Sequence, residues 1–296
     1  MIDDYKTDEA TGQNWVFLLG DSTERLAEIE SESCALAVGS PPFANKDGGA
    51  LYTYSNNVRD MGNSVDLDDF MTQLRIMIRE MLRTVIPGGH ATIHVADVPY
   101  LKGRHGRTGV YAFSDDIVRA FEAEGWWFEK RITVDKDPQA QAIRTKAHAL
   151  MFVTKNKDSS MSSPALADYN LVFKKPGERY APVKTDVTNE EWIEFARPVW
   201  YGINESDTLN ARIAREADDE RHLTPLQLPF IDRCVRLWTN PGETVISPWG
   251  GVGSELYKAV ELGRKAVGVE LKESYWRTGV EYLHELENDM ASRLAV

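Results

Sequence analysis

The chain is poor in cysteine and contains no long apolar run. Its two cysteines, Cys34 and Cys234, are far apart and neither belongs to a metal-ligand spacing, so we expect no disulfide framework and no metal. No apolar stretch is long enough to cross a bilayer. Residues 1–6 are acidic and polar rather than a basic region followed by an apolar one. We therefore expect a cytoplasmic protein without a membrane span.

Positive charge is also scarce. With 34 Lys and Arg against 46 Asp and Glu, the net charge is −12, which argues against a protein that coats nucleic acid non-specifically. The acidic residues concentrate in 1–32, 186–220 and 270–289, whereas 102–107 and 130–157 are locally basic. This distribution is compatible with a basic cleft on an acidic body.

What the chain does have is an alternation of strand-like and helix-like segments. At 296 residues, 42% of them hydrophobic, it is long enough to bury a full core. Periodicity predicts strands at 15–19, 35–38, 91–95, 126–134, 149–154, 244–246 and 265–269. It predicts helices at 67–85, 114–124 with Ser114 as the cap, 226–238 and 255–262. This order is typical of an α/β fold in which crossover helices join the strands of a mostly parallel sheet.

The most informative short segment is Ser40-Pro41-Pro42-Phe43, which follows the predicted strand 35–38. Both prolines fix φ and lack an N–H, and Pro42 restrains Pro41, so the chain leaves the sheet as a stiff extended corner. The Ser40 hydroxyl, the free backbone carbonyls and the Phe43 ring then face the cleft at the strand end. Such a corner suits a flat ring that carries nitrogen, although the tetrapeptide alone is also an ordinary loop sequence.

A second informative segment follows the predicted strand 244–246. Residues 247–254 read Ser-Pro-Trp-Gly-Gly-Val-Gly-Ser, a glycine-rich turn that opens a helix and lets a ligand approach bare backbone. Glu270, at the end of the next predicted strand, can accept hydrogen bonds from two ribose hydroxyls. The segment lacks the Gly-x-Gly-x-x-Gly of dinucleotide sites and the Gly-Lys-Ser/Thr of a P-loop. A nucleoside without a pyrophosphate fits better, although a plain tight turn also explains the glycines.

Together these segments resemble the DNA amino-methyltransferases of phages and bacteria, which move a methyl group from S-adenosylmethionine to an exocyclic base nitrogen. Residues 40–43 resemble the family's catalytic tetrapeptide, residues 247–254 its cofactor loop, residues 222–228 the segment before that loop, and residues 20–22 its Gly-Asp box. The catalytic motif precedes the cofactor loop, which is the order of the family's β group.

The resemblance implies a Rossmann-like class I methyltransferase fold, an α/β fold with a mostly parallel seven-stranded sheet. It also implies three parts. These are a catalytic half at 14–157, a small inserted target recognition region at 158–221, and a cofactor-binding half at 222–290. In residues 158–221 the regular strand and helix pattern is interrupted, which suits an insertion.

S-adenosyl-L-methionine is the cofactor that the resemblance implies. The residues that match the family's cofactor motifs are Asp21, Thr224, Gln227, Ser247, Pro248, Trp249, Gly251, Gly253, Ser254 and Glu270. Two positions depart from the usual family sequence. Ser247 replaces an aspartate, which removes a carboxylate, and Trp249 replaces a phenylalanine, which keeps an aromatic face for adenine. We interpret both as tolerated variation.

Methyl transfer to an amine explains the residue types at 40–43. An exocyclic amine is a poor nucleophile because its lone pair is conjugated with the ring, so a catalyst accepts its N–H hydrogen bonds and positions it. Ser40 Oγ and the Pro41 carbonyl are the expected acceptors, and Pro42 holds the corner. Phe43 stacks on a base that has been flipped out of the duplex. Neither a metal nor a covalent intermediate is needed.

The residue at position 40 bears on the identity of the substrate. In the resembled family Ser-Pro-Pro-Tyr/Phe accompanies cytosine N4, whereas Asp-Pro-Pro-Tyr more often accompanies adenine N6. We therefore expect a cytosine N4 enzyme, and because the correlation is imperfect, adenine N6 stays open. An enzyme for an RNA base or a protein glutamine is a second alternative, although the glutamine enzymes favour asparagine at the place of Ser40. A cofactor-binding or DNA-binding module without turnover is a third, supported only by Ser247.

DNA is the expected partner, and two segments are candidate contacts. The first is the loop after the strand 126–134, with the basic and amide side chains of Lys136, Gln139, Gln141, Arg144 and Lys146. The second is a glycine-rich loop with Lys102, Arg104 and Arg107. Basic groups there can pair with phosphates, and an amide can fill the gap that a flipped base leaves. The alternative for both segments is a solvated loop with scattered charges.

Oligomeric state, cellular setting, restriction and the histidines are the subjects of the remaining expectations. Similar enzymes form dimers, so a homodimer is compatible with the chain, and a bacterial or phage-infected cell is the expected setting. No nuclease motif appears, so restriction would need a separate chain. His94 and His148, within or beside predicted strands, are interpreted as core or supporting residues rather than catalysts.

Overall fold

The computed structural model describes most of the chain. The described residues are 5–46, 54–100, 102–107, 109–137, 156–161, 166–184, 186–209 and 225–294. The predicted strand 149–154 lies outside these ranges, as does His148. The predicted site residues that also lie outside them are Thr224, Gln139, Gln141, Arg144 and Lys146.

Eleven strands are found within the described ranges. In chain order they are β1 (Asp8–Thr11), β2 (Trp15–Leu19), β3 (Cys34–Gly39), β4 (Val85–Ala96), β5 (Val98–Pro99), β6 (Val110–Tyr111), β7 (Trp127–Val134), β8 (Asp168–Lys174), β9 (Val199–Trp200), β10 (Thr244–Ser247) and β11 (Lys265–Glu270). Strands β5 and β6 pair only with each other, and the other strands form one main sheet.

The main sheet has the order β1-β2-β11-β10-β3-β4-β8-β7-β9 in the described part of the chain. The five strands from β2 to β4 in this order pair in parallel, whereas β8 runs antiparallel to both β4 and β7. The expected mostly parallel α/β sheet is thus confirmed. It has nine strands rather than seven because the short strands β1 and β9 extend its two edges.

The helices alternate with the parallel strands, as the periodicity predicts. They are α1 (Ser22–Arg25), α2 (Leu67–Thr84), α3 (Lys102–His105), α4 (Phe113–Ala123), α5 (Asn189–Phe195), α6 (Leu228–Trp238), α7 (Ser254–Glu261) and α8 (Glu273–Leu294), with short 3₁₀ turns at Leu26–Glu28, Met61–Asn63 and Ser159–Met161. In the part of the chain that the structure describes, none of these helices combines the length and the apolar character needed to span a membrane.

The sheet separates two apolar cores, one on each face. Helices α2 and α4 contribute to one core, and α6, α7 and α8 contribute to the other. At the carboxyl end of β3 the side chains alternate between them, since Ala37 faces the first core and Leu36 and Val38 face the second. A register shift between Cys34 and Leu36 places Cys34 in the first core as well. This burial on both faces explains why β3 reads as a continuous apolar run.

The segment 158–221 is not wholly an insertion outside the sheet. It contains β8, which lies between β4 and β7 in the main sheet, and β9, which pairs with β7. The apolar residues Leu171, Val172 and Phe173 of β8 are fully buried. They follow a polar stretch without clear periodicity, which is why the sequence pattern does not separate this strand from its surroundings.

The amino end of α4 differs from its predicted form. Ser114 lies inside the helix rather than at its cap, and its backbone N–H donates to Oδ1 of Asp97 at 3.0 Å. Asp97 follows β4, so a carboxylate from the preceding strand end takes the place of the expected local cap. The prediction that Ser114 caps this helix is therefore wrong.

The carboxyl ends of the parallel strands meet along one edge of the sheet. Gly39 ends β3 and Ser247 ends β10, and these two strands are direct neighbours. From β3 the chain passes through α2 to β4 on one side, and from β10 it passes through α7 to β11 on the other. The strand order therefore reverses between β3 and β10, and in open α/β sheets such a switch point is where ligands bind.

Candidate active site

The corner after β3 presents a hydroxyl and an aromatic ring side by side. Pro41 is buried, whereas Ser40 and Phe43 are half-buried. The Phe43 ring centroid lies 6.1 Å from that of His94 and 6.2 Å from that of Phe113, the first residue of α4. These two rings back Phe43 and leave part of it open at the sheet edge.

A chain of hydrogen bonds runs from Ser40 into the protein. Ser40 Oγ lies 3.2 Å from Nδ1 of His94 on β4, and Nε2 of His94 lies 2.9 Å from Oδ2 of Asp168 on β8. The same carboxylate oxygen lies 2.6 Å from the ammonium of Lys136. Although burial raises the pKa of the Asp168 carboxyl, His94 and Lys136 hold that pKa below its ordinary value. Asp168 is therefore an ionised group beneath the Ser40 corner.

Lys136 is buried, whereas the sequence predicts it on the DNA-facing surface. The prediction that it pairs with DNA phosphates is wrong, because Lys136 is only 6% exposed and its ammonium is paired with Asp168. Sequence reasoning missed Asp168 itself, which is 74 residues from His94 along the chain. The available signal was a carboxylate at the start of the apolar run 168–174, where burial demands a partner.

The loop between β10 and α7 has the shape expected of a ligand-binding turn. Gly251 and Gly253 have φ values of 51° and 80°, which side chains rarely tolerate. The Gly250 N–H donates to the Val269 carbonyl at 2.8 Å, which ties the loop to the end of β11. A Cβ added at Gly251 would meet no described atom within 4 Å, so bare backbone there faces open space.

Several buried polar atoms around this loop have no hydrogen-bond partner among the described residues. They are Ser247 Oγ, Trp249 Nε1 and Ser254 Oγ. Gln227 Oε1, at the amino end of α6, is likewise buried without a partner among the described residues. Ser247, Ser254 and Gln227 are at most 4% exposed. A buried polar group without a partner costs about 1–3 kcal/mol, so natural proteins rarely leave several together. The donors and acceptors of a polar ligand would satisfy them.

Glu270 at the end of β11 holds the same loop from the other side. One of its carboxylate oxygens accepts from the Gly251 N–H at 2.8 Å, and the other accepts from the Lys272 N–H at 2.8 Å. Burial raises the pKa of Glu270 to about 7 against the effect of these N–H groups. The buried Glu255 of α7, whose pKa burial raises to about 8, lies close enough for the two carboxyls to interact. A ligand that donates hydrogen bonds to Glu270 would favour its ionised form.

Residues 20–22 join the loop and the end of β11. The Gly20 N–H donates to the Glu270 carbonyl at 2.8 Å, and Ser22 Oγ donates to the Pro248 carbonyl at 2.6 Å. Asp21 is buried, and its carboxylate caps α1 by accepting from the Thr23 N–H at 2.9 Å. Asp21 thus lies beside residues 247–254, and its carboxylate already has local hydrogen-bond partners.

The Ser40 corner and the glycine loop are in contact. A Cβ added at Gly39 would lie 3.1 Å from Cε3 of the Trp249 ring and 3.5 Å from Ser247 Oγ. Gly39 immediately precedes Ser40, so the Trp249 indole lies against the base of the corner. The structure therefore brings together the two segments that the sequence singles out, although more than 200 residues separate them.

The segment after β4 flanks the corner. Because β4 pairs in parallel with β3, this segment leaves the sheet at the same edge as the Ser40 corner. Lys102 and Arg107 are exposed there, and the Arg107 guanidinium lies 3.9 Å from the Tyr100 ring centroid. Arg104 lies on the helical turn α3 between them. The predicted basic segment 102–107 is thus next to the site.

Comparison with known proteins identifies the family. A family model for N6/N4 methyltransferases, described as DNA methylase, matches residues 34–281 and therefore most of the chain. The chain belongs to this family. The match of the methylase model includes both the Ser40 corner and the loop at 247–254. S-adenosylmethionine is the methyl donor of such DNA methylases, and the orphaned polar atoms around 247–254 fit a polar nucleoside of this kind.

Individual relatives of the methylase are distant in sequence but match along most of their length. Type II methyltransferase M.MjaI of Methanocaldococcus jannaschii is 24% identical in an alignment 290 residues long that covers 88% of each chain. The structure of TTHA0409 from Thermus thermophilus, a putative DNA modification methylase in complex with S-adenosyl-L-methionine, has a TM-score of 0.66 at 24% identity and covers 93% of this chain and 94% of that one. The cytosine-N4-specific PvuII DNA methyltransferase has a TM-score of 0.65 at 15% identity, covering 96% and 95%. The class I methyltransferase fold is thereby confirmed.

Proposed function

We propose that this DNA methylase transfers a methyl group from S-adenosylmethionine to the exocyclic N4 of a flipped cytosine. The observation that carries the proposal is the contact between the Ser40 corner and the 247–254 loop through Gly39 and Trp249. That contact puts an amine-binding corner directly beside a cofactor loop. The serine at position 40 favours cytosine, and the cytosine-N4-specific PvuII enzyme shares the fold. Since type II methyltransferases are among the relatives, a role in restriction–modification is the natural setting.

The residues around the loop hold the cofactor in this proposal. The indole of Trp249 offers a flat face for adenine, and Glu270 accepts from the ribose hydroxyls. Gly251 and Gly253 permit the close approach of the backbone. The cofactor contacts are completed by Asp21, Thr224, Gln227, Ser247, Pro248 and Ser254. Ser247 lacks the carboxylate that is usual at this position, but its buried hydroxyl can form a hydrogen bond with the cofactor instead.

Methyl transfer requires that the target amine is positioned and that water is excluded from the cleft. The cofactor supplies an electrophilic methyl group on its sulfonium. Ser40 Oγ and the Pro41 carbonyl accept the two N–H groups of the amine and draw its lone pair out of conjugation. Pro42 fixes the corner, and Phe43 stacks on the base while His94 and Phe113 hold its ring from behind. Desolvation in the cleft strengthens these hydrogen bonds.

DNA lies across the carboxyl edge of the sheet in this proposal. The target cytosine leaves the duplex because the corner is recessed, and Lys102, Arg104 and Arg107 pair with phosphates beside it. Residues 158–221, except for the strands β8 and β9 of the main sheet, supply target recognition. This region lies between a catalytic half at 14–157 and a cofactor-binding half at 222–290. The homodimer stays a prediction that sedimentation of the purified chain tests.

The identity of the methylated nucleoside tests the proposal. The protein is incubated with S-adenosylmethionine labelled in its methyl group and unmethylated DNA, and the DNA is digested to nucleosides. Label in N4-methylcytosine supports the proposal. Label in N6-methyladenine instead would establish the alternative base and refute the assignment to cytosine. Label confined to RNA or protein, or no label at all, would contradict DNA amino-methylation by this chain.

A further inference from the structure

Ser40, His94, Asp168 and Lys136 form a polar chain that leads from the edge of the sheet into the protein. The three hydrogen-bonded contacts measure 3.2, 2.9 and 2.6 Å in that order. Only Ser40 reaches the open edge of the sheet, since the other three residues are at most 9% exposed. Burying three polar side chains beneath Ser40 is costly unless each has its partners, which these contacts provide.

The direction of each hydrogen bond follows from the carboxylate. An ionised carboxylate only accepts, so Nε2 of His94 carries the proton that it donates to Asp168. The Lys136 ammonium is paired with the same oxygen of Asp168. A neutral ring protonated at Nε2 has a lone pair at Nδ1. In that tautomer Ser40 Oγ donates its hydroxyl proton to Nδ1.

Packing fixes the histidine ring in this orientation. The ring is T-shaped against Phe230, with centroids 5.2 Å apart, and Phe43 lies on another side. His94 and Asp168 are held by the antiparallel pair β4 and β8, while Ser40 follows β3, the other neighbour of β4. Three adjacent strands thus preorganise the three groups, so that no side chain needs to reorient during a reaction.

We propose that His94 is a positioning residue for methyl transfer, which holds the Ser40 hydroxyl proton and thereby turns the Ser40 lone pairs toward the target amine. The inference rests on the proposed function, because it gives a direction to the hydroxyl that accepts from the amine. A serine hydroxyl has one proton and two lone pairs. If that proton pointed at the amine, a donor would face a donor and the hydrogen bond would be lost. Asp168 and Lys136 act through His94 by fixing its tautomer, as the buried carboxylate does in serine proteases.

Nitrogen-15 NMR of the histidine rings in the ligand-free protein tests the hydrogen-bond direction without any turnover. The His94 signals are identified among those of the six histidines by their loss in the His94→Asn variant. We expect a ring protonated at Nε2 and unprotonated at Nδ1. A ring protonated at Nδ1, or an equal mixture of the two tautomers, would overturn the inference.

A double variant reverses the tautomer without leaving a buried charge. Asp168→Asn alone would strand the Lys136 ammonium, so it is combined with Lys136→Met, and circular dichroism checks that the protein folds. An amide at position 168 can donate to Nε2, which moves the ring proton to Nδ1 and makes His94 a donor toward Ser40. We expect this shift in the spectrum together with a loss of methyl transfer of about 100-fold or more. An unchanged tautomer, or full activity with the reversed one, would contradict the proposed role.

Single-turnover kinetics compare two replacements of His94. Asparagine places a carbonyl oxygen near the position of Nδ1 and can still accept from Ser40, whereas leucine cannot. We expect His94→Asn to keep the methyl transfer rate within about 10-fold and His94→Leu to lower it about 100-fold, with the same affinity for S-adenosylmethionine in both. Equal rates in the two variants would overturn the positioning role of His94 but would leave the proposed function standing. A wild-type protein that methylates no DNA would instead refute the proposed function.

Discussion

Gly39 lies against the indole of Trp249, so closely that a methyl group on its Cα would come within 3.1 Å of the ring. Gly39 ends β3 and Trp249 follows β10, the strand beside it. The contact joins the two halves of the proposed active site, because Ser40 is the next residue after Gly39 and the indole belongs to the cofactor loop. The position of the cofactor relative to the target amine depends on this packing.

Replacing Gly39 by alanine should move the Trp249 ring by a few tenths of an ångström. Trp249 is half-buried and can shift, so we expect little loss of stability but a weaker affinity for S-adenosylmethionine, by roughly 3- to 10-fold, since about 1 kcal/mol of packing is at stake. Calorimetric titration measures this affinity for S-adenosylmethionine. Gly103→Ala is the matched control, because a Cβ at Gly103 meets no described atom within 4 Å. Equal affinities in both variants would contradict a role for the contact.

Cofactor affinity should rise with pH through the pKa of Glu270. Burial raises that pKa to about 7 in the ligand-free protein, so Glu270 is largely protonated at pH 6 and ionised at pH 8. Only the ionised carboxylate accepts from both ribose hydroxyls, and the Kd for S-adenosylmethionine should therefore fall as the pH rises across this window. Glu270→Gln should bind more weakly and should lose this part of the pH dependence. The same slope in the variant would exclude Glu270 as its source.

Lys136 should contribute to stability rather than to DNA binding. Lys136→Met removes one partner of the buried Asp168 carboxylate, and we expect a loss of about 3 kcal/mol in the free energy of unfolding, measured with urea. Lys130→Met is the control, since its exposed ammonium lies 4.0 Å from Glu129 and should matter by less than about 0.5 kcal/mol. Similar stabilities for the two variants would contradict a buried ion pair at Lys136.

Lys102 and Arg107 should contribute to DNA affinity through phosphates. Changing both to alanine should weaken binding by a similar factor for all sequences and reduce the slope of log affinity against log salt by about two. Lys265→Ala is the comparison, because Lys265 is exposed at the amino end of β11, at the opposite edge of the sheet. If the salt dependence changes equally in both proteins, the segment 102–107 is not the DNA-facing one.

Local signals were enough to predict the parallel part of the fold. The run before Ser40 and the run before residue 247 each read as a buried strand, and each became one, with its motif at the carboxyl end. The prolines of the corner and the glycines of the loop act through their own backbone geometry. Their structural effect can therefore be predicted from the local sequence. For that reason the two halves of the site could be recognised before any contact between them was visible.

The remaining features depend on contacts that distant residues make. Asp97 replaces the expected Ser114 cap because the end of β4 approaches α4, and no pattern within the helix records this. Lys136 looks like a surface cation in sequence, yet it is buried because Asp168 lies on the adjacent strand. The hydrogen bond between Ser40 and His94 likewise joins neighbouring strands that are 54 residues apart in the chain.

Methyl transfer by a Ser40→Ala variant tests the central claim most directly. Incorporation of labelled methyl groups into unmethylated DNA is measured in single turnover for this variant and for the wild-type protein, together with the Kd for S-adenosylmethionine. Because the proposed function places Ser40 on the amine and not on the cofactor, we predict a loss of rate of about 100-fold or more with a Kd changed less than about 2-fold. A Ser40→Ala protein that methylates DNA at the wild-type rate would contradict the assignment of this corner as the active site.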